Sequence, residues 1–263
     1  MTIKHTLCIL FCLLLASPSI AKVTTQEVSY QPGGITLNGY LAYNSEVKKA
    51  PAVLVVHEWW GHNDYARARA EMLAELGYVA FALDMYGEGK VADHPDDAKK
   101  FMQEAMQDQT ILKGRFMAAL DYVRQLEQVD QDSIAAIGYC FGGGVVLNMA
   151  RQGIDLDGVV SFHGSLSTNQ LASKDNVTAK VLVLHGGNDA FISESQVISF
   201  EEEMTAANVD YEVVVYENVD HSFTNPEADD FADKYGMPVS YDQEADHHSW
   251  AKMKDFLAEL FDK

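Results

Sequence analysis

Residues 133–144 read SIAAIGYCFGGG, with Gly138, Cys140 and Gly142 spaced as G-x-C-x-G. A hydrolase with a nucleophile elbow carries serine at the central position of this spacing. An apolar, β-branched run leads in and a second apolar run follows, so Cys140 falls at a strand–turn–helix junction. Flanking glycines let the chain turn sharply and lift the central side chain off the top of a sheet. The N-terminus of the following helix favours thiolate over thiol, and the Phe141 N–H can face a developing oxyanion. A buried cysteine that only packs helix on strand would show the same residues. A phosphate loop is a third reading, but GYCFGGG lacks the lysine and Ser/Thr of a P-loop and the spacing of G-x-G-x-x-G.

A thiol nucleophile needs a base and a group to orient that base, in the chain order nucleophile, acid, histidine. HGGNDAF offers Asp189 and NVDHSF offers His221, each just after an apolar run and in that order. Asp220 competes for the acid role, but a neighbour along the chain is badly placed to orient its own histidine. Taken singly, Asp189 could be a turn former and His221 a surface loop residue. Upstream, HEWWGHND ends another apolar run with Glu58, where such hydrolases supply a second oxyanion amide, here the Trp59 N–H. A zinc reading of that segment fails: H-E-x-x-H needs histidines four apart, and position 61 is Gly with His62 five after His57. The adjacent His247 and His248 have diverging side chains and read as solvated surface. No metal or organic cofactor is expected.

These residues need a frame. Apolar runs at 51–57, 79–86, 133–139, 158–163, 180–186 and 211–217 suit strands buried on both faces of a parallel sheet. Helical patterns fill 62–76, 95–127 (two helices, broken near 107–109), 141–152, 193–207 and 247–261. In the last of these, Trp250, Met253, Phe256, Leu257, Leu260 and Phe261 share one face, which is core packing. TTQEVSY and ITLNGYLAY alternate around Pro32-Gly33-Gly34 and predict an antiparallel hairpin at the sheet edge. The expected fold is a single α/β domain: a mostly parallel, doubly wound sheet, helices on both faces, and an antiparallel N-terminal edge. Ligands then sit at the carboxyl ends of the strands, where all four candidate side chains fall.

The first 21 residues stand apart. Lys4 and His5 precede an apolar stretch from Leu7 to Ala16, and Ser19 and Ala21 fit an A-x-A-like cleavage site. This reads as a secretory signal peptide, with a mature domain over 22–263 that is periplasmic or secreted. Cleavage removes Lys4, Cys8 and Cys12, leaving 18 basic residues against 39 acidic, a net charge of −21, and Cys140 as the sole thiol. No internal disulfide or C-x-x-C pair is then possible. The charge disfavours nucleic acid and anionic membrane as partners. Nothing forces a multimer, and a monomer is expected.

Together the segments HEWWG, LDMYG, GYCFGG, HGGND and DHSFTNP resemble the dienelactone hydrolase family of α/β-hydrolases, over nearly all of the mature chain. The resemblance implies Cys140 as nucleophile, His221 as general base and then acid, and Asp189 as its orienter. The amides of Trp59 and Phe141 would form the oxyanion hole. In the resting enzyme, Glu58 would bond the thiol and later take its proton. The family binds a substrate carboxylate with arginines where this chain has Glu88 and Asn225, so a neutral ester or lactone is the expected small-molecule substrate. Trp59, Trp60, Tyr86, Tyr139 and Phe141 are expected to wall an aromatic acyl pocket. A hydrolase fold kept as a binding or scaffold protein with little turnover is the competing reading, against which stands the full Cys–Asp–His set with Glu58.

Overall fold

A computed structural model describes residues 22–31 and 34–261. The expected signal peptide and the Pro32-Gly33 half of the hairpin turn lie outside the described residues. β1 (Val23–Tyr30) and β2 (Leu37–Asn44) pair antiparallel, Val23 opposite Asn44 and Tyr30 opposite Leu37, as the alternation predicts. β2 then runs antiparallel to β4 (Val79–Leu83). From there β3 (Ala50–Val56), β5 (Val129–Tyr139), β6 (Gly158–Phe162), β7 (Lys180–Gly186) and β8 (Tyr211–Tyr216) continue in parallel. The order across the sheet is β1-β2-β4-β3-β5-β6-β7-β8.

The period of two along each strand divides the core into two layers. Val53 and Val55 of β3 pack with α1 (Asp64–Glu75) and α7 (Gln243–Phe261), through Ala70, Leu73, Met253 and Leu257. Leu54 and Val56 face the other way, onto α3 (Gln109–Arg124), α4 (Phe141–Arg151) and α5 (Glu194–Ala206), through Phe116, Val146 and Phe200. Both faces of β3 are thus covered, which is why its sequence is apolar without alternation. The expected fold class stands.

Local contacts set the element boundaries, and the break within 95–127 falls where the sequence places it. The strand at 79–86 stops at Leu83 because Asp84 turns the chain: its Oδ1 accepts from the N–H groups of Tyr86 (2.9 Å) and Gly87 (2.7 Å), its Oδ2 from Gly89 (2.8 Å). The break in 95–127 falls where Asp108 caps α3, accepting from Thr110 N–H at 2.8 Å, after α2 (Pro95–Met106). α6 (Ala228–Tyr235) was not expected; it is short and acidic, and Gly236 closes it at φ 65°. α7 also begins at Gln243, four residues before the expected start. His247 and His248 are exposed as expected, with His248 Nδ1 3.1 Å from the Tyr216 hydroxyl.

Candidate active site

Cys140 joins β5 to α4 at φ 52° and ψ −113°. A non-glycine residue there carries strain of about 1–3 kcal/mol, so its surroundings must hold it in place. They do so through its N–H, which is shared between the Phe162 carbonyl (3.0 Å) and His163 Nδ1 (3.2 Å). The glycines of the motif are needed for close approach. A Cβ on Gly138 would overlap the Gly142 carbonyl, and one on Gly142 would overlap the Val56 carbonyl at the end of β3. The result is a turn that presents sulfur above the sheet.

His221 and Asp189 come from the loops after β8 and β7. His221 Nδ1 lies 2.7 Å from Asp189 Oδ2, and the Asp189 side chain is fully buried. Its other oxygen accepts from the N–H groups of Phe191 (2.8 Å) and Ile192 (3.2 Å), which fixes the carboxylate in plane. On its far side the imidazole is hydrogen-bonded to the Cys140 side chain. Burial disfavours the imidazolium, but the negative charge on Cys140 and the bonds to Asp189 and Cys140 outweigh it, so His221 is pushed up to about 10. Asp220 turns elsewhere, bonding Asn188 and Ser240.

Glu58 lies beneath this chain, 1% exposed. Asn225 Nδ2 donates to its Oε2 at 2.6 Å and Ser222 Oγ to its Oε1 at 3.3 Å. Burial raises its proton affinity, while Asn225, the charge on His221, Ser222 and the Arg69 guanidinium pull it back part of the way. The bond between thiol and Glu58 implied for a resting enzyme is not the arrangement here: sulfur bonds His221, and the carboxylate is held by Ser222 and Asn225.

Neither position at which the family carries an arginine brings a cation to the site. Asn225 is 1% exposed and bound to Glu58, so it is a support rather than a stand-in for an arginine. Glu88 sits exposed on the turn after Asp84, its N–H donating to the Thr36 carbonyl at 2.8 Å, away from the cavity wall. It therefore repels nothing in the site. The cavity over Cys140 and His221 measures about 440 Å³ and is walled chiefly by Met102, Met106, Leu112, Val145, Ile192 and Val239, with Lys99 at the edge. Of the expected aromatic wall, Trp59 and Phe141 take part. Trp60 instead packs on Phe231 at 4.3 Å, and Tyr139 is fully buried against Phe162 at 4.6 Å. Tyr86 lies behind the wall and donates to the Trp59 carbonyl at 3.0 Å. Sequence reasoning missed half-exposed Phe191 at the edge, and Ser222, Asn225 and His163, although His163 obeys the strand-end rule.

Phe141 is the first residue of α4, so its N–H has no acceptor within the helix. Among the described residues, no backbone carbonyl accepts from the Trp59 or Phe141 amide. A second cleft, about 510 Å³, lies at the opposite end of the sheet. It holds no nucleophile, and its ion pairs, Arg124–Asp155 at 2.8 Å and Lys180–Glu259 at 2.9 Å, satisfy one another. Among the described residues, no group of three or more His, Cys, Asp and Glu side chains converges as metal ligands would.

Comparison with known proteins identifies the family. The profile of the dienelactone hydrolase family matches residues 37–261. The chain belongs to the dienelactone hydrolase family. It is accordingly a hydrolase of ester or lactone bonds on an α/β-hydrolase fold. It is 30% identical over 213 residues to Protein usf of Aquifex pyrophilus, covering 79% of this chain and 90% of that one. The same figures hold for an Aquifex aeolicus protein assigned as a carboxymethylenebutenolidase. Among solved structures, a dienelactone hydrolase-like promiscuous phosphotriesterase from metagenomic libraries superposes with a TM-score of 0.83 at 32% identity, covering 90% of this chain and 98% of that one.

Proposed function

We propose that this hydrolase cleaves a neutral carboxylic ester or lactone through an acyl-thioester on Cys140. The observation that carries the reading is the chain Asp189–His221–Cys140, closed at the elbow and opening into an apolar cavity. The thiolate adds to the carbonyl carbon, and the oxyanion is held by the amides of Trp59 and Phe141. The alkoxide leaves with the proton of the His221 imidazolium. Water then loses a proton to neutral His221 as it attacks the thioester, and the thiolate departs to reform the ion pair. Asp189 keeps the ring in register. Glu58, whose proton affinity is raised, takes the thiol proton from a resting state in which sulfur is turned onto it, while His221 already holds a proton drawn from solvent, so the swing of the thiolate to His221 completes the ion pair.

The mostly aliphatic, methionine and aromatic lining of the cavity supports a neutral, apolar substrate, with Lys99 the only lysine or arginine among its lining residues. Residues 1–21 act as an export signal, which N-terminal sequencing of exported protein beginning at Lys22 would support. The functional test is hydrolysis of p-nitrophenyl acetate and butyrate by mature protein, Cys140→Ala and His221→Ala. Parent activity that disappears in both variants is expected. Burial of about 0.8 kcal/mol per methylene predicts butyrate favoured over acetate by up to about tenfold in kcat/KM. Three proteins behaving alike would overturn the reading in favour of a binding protein on a hydrolase fold.

A further inference from the structure

The Trp59 half of the proposed oxyanion hole depends on one peptide plane, that between Glu58 and Trp59. A trans peptide holds its carbonyl and its N–H on opposite sides, so whatever fixes the Glu58 carbonyl also fixes where the Trp59 N–H points. In a loop just past a strand, nothing in the sheet ladder sets that plane.

Here His57 sets it. The residue is fully buried at the end of the β3 run. Its Nδ1 is hydrogen-bonded to the Glu58 carbonyl, and its Nε2 lies 3.2 Å from the Met85 backbone N–H. Since Met85 can only donate, Nε2 must be the bare nitrogen, and the ring proton is on Nδ1, donating to Glu58. One neutral tautomer satisfies both bonds, and burial of the ring favours that neutral form. The ring is held in turn by Tyr86 edge-on at 4.7 Å and by Phe141 stacked at 5.8 Å. Gly61 N–H adds a second bond to the Glu58 carbonyl at 3.2 Å. Gly61 can close this turn because it takes φ 98°, where a Cβ would strike the Lys90 carbonyl. The next carbonyl, that of Trp59, is taken by the Tyr86 hydroxyl. The Glu58 carbonyl is thereby held toward the His57 ring, and across the trans peptide the Trp59 N–H is directed away from that ring.

We propose that His57 is a positioning residue for catalysis: its Nδ1–H holds the Glu58–Trp59 peptide in the orientation that makes the Trp59 amide an oxyanion donor. This inference rests on the thioester reading above. Without His57 the plane can rotate, and a rotated peptide would present a carbonyl to the oxyanion. The chemistry of the thiol itself is untouched, because His57 contacts neither Cys140 nor His221 by hydrogen bond.

The test separates those two effects. Iodoacetamide alkylation of Cys140 needs the thiolate but no oxyanion hole, whereas ester hydrolysis needs both. His57→Leu is expected to lower kcat for p-nitrophenyl butyrate by about 100-fold, the loss typical of one missing oxyanion donor, with KM and the alkylation rate within about threefold of parent. His57→Gln can donate to the Glu58 carbonyl and accept from Met85, and is expected to recover kcat to within about tenfold of parent. Should His57→Leu not fold, His57→Phe keeps a flat ring in the same space without either nitrogen and is expected to show the same loss of kcat with alkylation unchanged. Unchanged kcat in the variant that folds, or alkylation lost in proportion to kcat, would overturn the inference alone. Hydrolysis that survives Cys140→Ala would overturn the thioester reading beneath it.

Discussion

In the proposed mechanism Cys140 and His221 act as a charge pair, and the expected behaviour with pH follows from that. His221 is raised to about 10, so the imidazolium that must protonate the leaving alkoxide persists through neutral pH. The alkaline limb of kcat/KM is therefore expected near pH 10. A histidine at its ordinary value of about 6.5 would lose activity above pH 7, and such a profile would count against the pairing. Asp189→Asn removes one of the groups raising His221 and frees the wrong tautomer; kcat should fall by about 10³–10⁴-fold, with the alkaline limb moved to lower pH. Loss of less than tenfold would show that Asp189 does not orient the base. Much of this site is legible in the sequence, because Glu58, Cys140, Asp189 and His221 each follow an apolar strand and a rule of order connects three of them. What surrounds Glu58 is not. Ser222 and Asn225 sit beside His221 but bond a carboxylate 164 and 167 positions earlier, and no spacing encodes such a meeting. The second role of Asn225, as a donor to Glu58, is hidden for the same reason.

Elements differ in how plainly their sequences announce them. The strands of the central sheet are buried on both faces and read as unbroken apolar runs, whereas α6 is a polar eight-residue helix whose Phe231 finds its partner, Trp60, only in three dimensions. Composition could mark the helix at 95–106, but not its place on the cavity wall, which sets the substrate. Met102 and Met106 on α2 line that cavity together with Val145 on α4. Filling the space is expected to discriminate by chain length: Val145→Phe should keep acetate hydrolysis within about threefold while reducing butyrate hydrolysis at least tenfold, since overpacking excludes the longer acyl group. Equal loss on both esters would place the acyl chain elsewhere. The elbow tolerates no such change. Gly138→Ala puts a Cβ against the Gly142 carbonyl and should lower Tm by many degrees, read by circular dichroism.

At the scale of the whole molecule, single-domain α/β organisation follows from alternating strands and helices, but its acid sensitivity is visible only once burial is known. His57, His62, His163 and His185 are all buried with proton affinities lowered by desolvation, His62 to about 3. Between those folded-state values and 6.5 the unfolded chain binds more protons, so the contribution of these four rings is full above pH 6.5 and drains as pH falls, whereas that of raised His221 is full below pH 6.5 and is lost as pH rises toward 10. Each histidine contributes up to about 1.4 kcal/mol per pH unit. Glu58, raised, works in the opposite direction, as a single group against four. Below pH 6.5, His221 is protonated in both states and adds no slope. Thermal melts at pH 7.5, 6.0 and 5.0 should show Tm falling stepwise, and a flat series would contradict the neutral burial of these rings. The central claim is tested most directly on the intact protein, by acid-quenching it milliseconds after mixing with p-nitrophenyl butyrate and measuring its mass. A single butyryl adduct on the Cys140 peptide, forming and decaying at the turnover rate and absent from Cys140→Ala, is the predicted result. Turnover without that adduct, or with acyl on another residue, would contradict it.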